Sequence, residues 1–233
     1  MPTPLIDLGR LQELNQQLET QTPEDILHSA LSAYFPNIVL ASSFGAEDVA
    51  LIDMIHRINP RAPILYLDTD FLFLDTYTTR DALIKRYGIT PIQVRSLLTP
   101  QQQAAKFGDK LWERQPDECC RQRKVEPLAR ALEPYQAWIT GIRREQSPAR
   151  AKAKIVEWDT TFALVKFNPL ARWTNDQVWT YIKQHEVPYN PLHDQGYPSL
   201  GCTYCTRAVL PGEDPRGGRW SGFTKTECGL HPK

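Results

Sequence analysis

A chain of 233 residues, 41% apolar and 23% charged, can build and solvate one large domain. Its 27 basic residues balance 27 acidic ones, and a formal net charge of zero argues against broad nucleic-acid binding driven by counterion release. No apolar run reaches membrane-spanning length, and the first residues lack the basic-then-apolar pattern of a secretory leader, so a cytoplasmic setting is expected.

Leu5, Leu8, Leu11, Leu14 and Leu18 recur at helical spacing and predict an amphipathic helix over 5–20. Thr22-Pro23-Glu24-Asp25 has the chemistry of a helix start, a capping hydroxyl followed by proline and acids, and predicts a helix to about Tyr34. Short apolar strands then alternate with helices. Strands are expected at 38–41, 64–67, 92–94 and 137–140, and helices at 47–58, 76–87 and 125–132. Residues 143–154 are polar and basic and read as a loop. A strand pair at 155–158 and 163–167 and a helix at 175–185 follow. From Pro188 onward proline, glycine and aromatic residues dominate, and regular structure should be sparse. The expected fold is α/β: a parallel sheet flanked by helices, with a loop-rich C-terminal segment. One domain is expected, with N-terminal helices over 1–35, a core over 36–206 and a mobile tail over 207–233.

The first strand runs into its helix through Ser42-Ser43-Phe44-Gly45-Ala46-Glu47-Asp48. Such a junction directs backbone N–H groups and a helix N-terminus at an anion, although an ordinary strand-to-helix turn has the same composition. It matches neither the Walker pattern nor the dinucleotide fingerprint.

Five cysteines carry the most specific chemistry. Cys119-Cys120 and Cys202-x-x-Cys205 make a four-thiolate set that could hold a metal or an iron–sulfur cluster. Adjacent cysteines chelate one small tetrahedral ion with strain, which disfavours zinc, the alternative. Cys228 stands apart near the end, flanked by Lys225 and His231, and reads as a nucleophile; the alternative is an exposed thiol on a frayed terminus.

Several segments together point to one family. The Ser-x-Gly-x-x-Asp loop looks like a variant of the pyrophosphatase loop. Phe44 and Val49 replace the second glycine and the serine of ATP-splitting members. Tyr66-Leu67-Asp68-Thr69-Asp70 resembles the Leu-Asp-Thr-Gly motif of sulfonucleotide reductases, with Asp70 where glycine is usual. Gly141-Ile142-Arg143-Arg144-Glu145-Gln146-Ser147 is similar to that family's arginine loop, and the tail Glu227-Cys228-Gly229-Leu230-His231 is its most specific signature. The resemblance spans roughly residues 36–231.

What the resemblance implies is an adenine-nucleotide alpha-hydrolase-like fold and a substrate site. Ser42, Ser43, Phe44 and Gly45 would meet phosphate, with Leu67, Asp68 and Thr69 beside the nucleotide. Lys124, Arg143, Arg144, Arg216, Arg219 and His231 would neutralise a phosphosulfate, and Cys228 would be the catalytic thiol. The extra Cys119, Cys120, Cys202 and Cys205 resemble the 4Fe-4S ligands of adenosine 5'-phosphosulfate (APS) reductases, which make sulfite and AMP with thioredoxin as donor. Asp70 either points away from the nucleotide or disfavours a 3′-phosphate. Reduction of 3′-phosphoadenylylsulfate (PAPS), alone or alongside APS, is the nearest alternative, and tRNA thiolation a more distant one. Neither nucleic acid nor membrane is expected as a partner, and a monomer and a homo-oligomer both remain open.

Overall fold

The computed structural model describes residues 7–230, so Leu5 and His231 lie outside the described residues. Helix α1 (Leu8–Leu18) and α2 (Pro23–Tyr34) precede the sheet. Thr22 caps α2 by accepting a hydrogen bond from the Asp25 amide, as the Thr-Pro-Glu-Asp run predicts. The body alternates β1 (Ile38–Ser42), α3 (Ala46–Ile58), β2 (Ile64–Asp68), α4 (Leu74–Tyr87) and β3 (Ile92–Arg95). After these come α5 (Pro100–Phe107), α6 (Leu111–Arg114), α7 (Pro116–Cys120) and α8 (Glu126–Leu132). The chain then forms β4 (Ala137–Ile139), β5 (Val156–Asp159), β6 (Leu164–Phe167) and α9 (Asn175–Gln184).

Six strands among the described residues form one sheet in the order β3-β2-β1-β4-β6-β5. All neighbours run parallel except β5, which pairs antiparallel with β6 through Trp158 opposite Val165. Side chains alternate between faces with the two-residue period of a strand. Ile38, Leu40, Ile64, Tyr66, Ala137 and Ile139 join the larger core, which includes α2, α3 and α9. Val39, Leu65 and Trp138 face the other way, onto Leu128 and Leu132 of α8. No described helix is long and apolar enough to cross a membrane.

Two differences from the sequence expectation matter for function. The region between β3 and α8 holds three short helices where none was expected. Thr99 and Gln102 form a capping box at the start of α5, and α6 and α7 are too short to show periodicity. The helix expected near 125–132 is also continuous with α7 through one π-helical turn, Arg121–Val125. That wide turn follows the tandem cysteines directly and carries Arg123 and Lys124.

Strand order places the site. The connections from β1 to β2 and from β3 to β4 leave in opposite directions, so the carboxyl ends of β1 and β4 border a topological switch point. The loops after Ser42 and after Ile139 open there.

Candidate active site

A cavity of about 710 Å³ opens at this switch point. Its floor is the 42–48 loop. Phe44 takes a left-handed φ of 58°, and the Ser42 hydroxyl accepts from its amide at 3.0 Å. Ser43 donates from both N and Oγ to one oxygen of Asp48, at 2.5 and 2.7 Å, so the Ser43 donors are used within the loop. Gly45 caps α3 without a side chain, which leaves the opening amides of that helix for a ligand. Burial pushes the Asp48 carboxyl up to about 6 despite the two Ser43 hydrogen bonds.

Leu67 and Thr69 line the cavity, whereas Asp68 does not. Its carboxylate, fully buried, accepts from Tyr77 Oη (2.7 Å), Gln93 Nε2 (2.6 Å), Arg95 Nη2 (3.0 Å) and the Asp70 amide (3.0 Å). Burial acts to raise its pKa, but these donors win and hold it below the usual range. Asp68 therefore shapes the loop from behind. Asp70 has a left-handed φ of 59°, the conformation that makes glycine the easy residue there. Its carboxylate accepts from Arg123 Nη1 at 2.8 Å, and it is not among the cavity-lining residues. The Asp70 side chain therefore points away from the cavity.

Among the described residues, the expected cations Lys124, Arg143, Arg144, Arg216 and Arg219 all border the cavity. Arg143 is buried and donates to Glu47 (2.8 Å), Glu145 (3.0 Å) and the Trp173 carbonyl (3.3 Å). Arg144 grips Glu19, after α1, with both terminal nitrogens at 2.6 and 2.9 Å. Arg216 is likewise engaged by the protein, donating to Glu227 at 3.1 Å and to the Thr226 carbonyl at 2.9 Å. Arg219 donates to Ser199 Oγ and the Leu200 carbonyl, and its buried Nε finds no partner among the described residues. Burial acts to lower the Lys124 pKa, but the nearby sulfurs of Cys202, Cys228 and Cys120 outweigh it and hold it above its ordinary value.

Cys228 is half-buried at the rim of the cavity. Lys225, the nearby cation expected to assist it, forms an ion pair with Asp117 and lies 5.3 Å from the Trp220 ring centroid. Arg150 and Ser199, not singled out by sequence, also line the cavity, as does His193. Arg150 fell in a stretch read simply as loop. The buried Glu227, which precedes the thiol, was visible only as part of the tail motif.

All five cysteines are free thiols. Burial, reinforced by Cys120, Cys202 and Cys205, pushes Cys119 up to about 12, and burial with Cys202 and Cys120 pushes Cys205 to about 11. These couplings put the four sulfurs in one neighbourhood. No group of three or more His, Cys, Asp or Glu among the described residues is arranged to hold a metal ion. The donor set still suits a larger soft centre. It combines four thiols with the buried Arg123, whose Nη2 has no partner among the described residues. Arg123 also donates to Gln103, and Gln103 in turn to Cys119 Sγ at 3.9 Å.

A family model described as the phosphoadenosine phosphosulfate reductase domain matches residues 37–208. A protein of Shouchella clausii named adenosine 5'-phosphosulfate reductase is 50% identical, over 94% of this chain and 92% of its own. One of Gloeobacter violaceus named phosphoadenosine 5'-phosphosulfate reductase is 48% identical, over 97% and 95% respectively. A crystal structure of phosphoadenylyl-sulfate (PAPS) reductase from Candida auris, in a phosphate complex, superposes with a TM-score of 0.77 at 30% identity. It covers 88% of this chain and 98% of that one.

Proposed function

The chain belongs to the phosphoadenosine phosphosulfate reductase family, and from that premise we propose that it reduces APS to sulfite and AMP through Cys228. The observation that carries this reading is the cavity itself. One enclosure is lined by a phosphate-type loop, by Lys124, Arg216 and Arg219, and by the Cys228 thiol.

The chemistry balances as three displacements at sulfur. The Cys228 thiolate attacks the sulfate sulfur, and the bond to the phosphate oxygen breaks with its electron pair leaving on AMP. The product is an S-sulfocysteine. A thiolate of thioredoxin, or of a similar dithiol protein, then attacks Cys228 Sγ, and sulfite departs with the electrons of the S–S bond. The donor's second thiol resolves the mixed disulfide and returns the Cys228 thiolate. Two electrons pass from the dithiol to the sulfur. A cytoplasmic setting, which keeps thiols reduced, suits five free cysteines.

Cys119, Cys120, Cys202 and Cys205 would hold a 4Fe-4S cluster. The reading is supported by the soft donor set, the tandem pair on α7, and Arg123 and Lys124 set to balance its charge. When bound, the cluster would supply a structural tie and a fixed field, with all reducing electrons coming from the dithiol. Loading it requires loss of the thiol protons, which binding to iron supplies.

Use of PAPS as well is a second reading, favoured by one observation: Asp70 turns to Arg123 and presents no charge to the nucleotide cavity. Sulfite release should be compared with APS and PAPS, using anaerobically purified protein and reduced thioredoxin. Release from APS with none from Cys228→Ser, whose visible spectrum stays that of wild type, is expected. Turnover by Cys228→Ser would remove the thiol from the mechanism, and equal release from PAPS would establish dual use.

A further inference from the structure

The segment from Ser221 to Leu230 contains neither helix nor strand, so side-chain ties decide where Cys228 sits. The strongest tie is one residue away. The Glu227 side chain is 5% exposed, and its carboxylate is met by two guanidinium groups. Oε1 accepts from Arg150 Nε at 2.9 Å and from Ser147 Oγ at 3.3 Å. Oε2 accepts from Arg150 Nη2 at 2.7 Å and from Arg216 Nη2 at 3.1 Å. The Arg150 contact is the two-pronged fork that fixes angle as well as distance. Arg216 also donates to the Thr226 carbonyl at 2.9 Å, gripping the backbone just ahead.

Arg150 is itself held. Its Nη1 donates to Gln146 Oε1 at 2.6 Å, the same oxygen accepts from the Arg143 amide, and Gln146 Nε2 donates to the Gly141 carbonyl. The tie therefore runs from the tail through Arg150 and Gln146 to the end of β4, which borders the cavity. An isolated carboxylate this deeply buried would be costly, so Glu227 stays docked only while both arginines face it. Burial acts to raise its pKa, yet Arg150 and Arg216 outweigh that and keep it ionised.

We propose that Glu227 is a positioning residue: its clamp by Arg150 and Arg216 docks the tail and sets the Cys228 thiol at the cavity mouth before a nucleotide arrives. The proposal rests on the reading of Cys228 as the reacting thiol, and its physical part can be tested without turnover.

The test uses the full chain, prepared anaerobically, as wild type, Glu227→Gln, Glu227→Asp, Arg150→Gln and the Glu227→Gln/Arg150→Gln double variant. The first readout is the rate at which iodoacetamide alkylates Cys228 without nucleotide, followed by peptide mass. The second is kcat and KM for APS. Glu227→Gln should alkylate faster by about fivefold or more and lose kcat by about 10- to 100-fold, with KM within about threefold, because a displaced nucleophile costs rate more than binding. Glu227→Asp should recover most of the loss. The double variant should alkylate no faster than Glu227→Gln, since both break one tie. Wild-type alkylation in both Glu227→Gln and Arg150→Gln, or additive effects, would overturn the clamp. Altered alkylation in a protein that does not reduce APS would keep the clamp and reject the substrate instead.

Discussion

Asp48 is buried at the end of the 42–48 loop, and burial pushes its carboxyl up to about 6. The sign of the linked stability follows. Because the folded chain holds this proton more tightly than the unfolded one, the contribution is complete below the ordinary carboxylate range and is lost as pH rises through about 6. Asp48→Asn keeps an acceptor for Ser43 and has nothing to titrate. It should gain on wild type by roughly 1–3 kcal/mol between pH 4.5 and 7.5, read from urea midpoints at each pH. A gap that does not change with pH would contradict the burial argument. Asp70 sets two effects against each other. Asp70→Gly relieves a left-handed residue, worth about 1 kcal/mol. It also leaves the buried Arg123 short of its carboxylate, a loss of about 3–5 kcal/mol for a fully buried pair. Asp70 is 23% exposed, and Gln103 still accepts from Arg123, so the loss is discounted. The variant should be less stable by about 1–3 kcal/mol, with KM for APS within about twofold.

The α7–π-turn–α8 segment shows why element type matters to chemistry here. A regular α-helix through Arg121–Val125 would rotate Arg123 and Lys124 relative to Cys119 and Cys120; the wider turn carries Arg123 inward, where it is 1% exposed. The junction after β4 is equally constrained. A Cβ on Gly141 would lie 2.5 Å from Asp48 Oδ1 and 2.8 Å from Glu47 Cβ, so the arginine loop approaches α3 only because this residue has none. Gly141→Ala should lower stability by about 1–3 kcal/mol and weaken AMP binding, measured by thermal melting and calorimetric titration. Unaltered AMP affinity would show that the two loops move independently. At α5, Thr99→Ala removes the capping box and should cost about 1 kcal/mol, which chemical denaturation would show.

Across the whole molecule, a mostly parallel sheet covered on both faces provides the rigid frame, and the C-terminal tail is held against it by charge. Leu51 is fully buried on α3, whose N-terminus forms the cavity floor. Leu51→Ala should cost about 2–5 kcal/mol in denaturant unfolding. The tail's strongest ties are ionic, Glu227 to Arg150 and Arg216, and Lys225 to Asp117. Such ties can release a segment without disturbing the core.

Local chemistry made much of this protein legible from its sequence. Strands β1 to β6 follow from short apolar runs between helices and turns, and α2 from its Thr-Pro start. The phosphate-type turn was legible as a type, but the internal use of the Ser43 donors was not. Tertiary structure alone decided partnership. Arg143 and Arg144 line the cavity and pair with Glu47 and Glu19, and Asp68 turns to Tyr77, Gln93 and Arg95; none of these pairings can be read from chain order. Arg150 and Glu227 are 77 residues apart and meet in one clamp. A charge announces in sequence that it needs a partner, but its partner is chosen by which distant segments the sheet order brings within hydrogen-bonding reach.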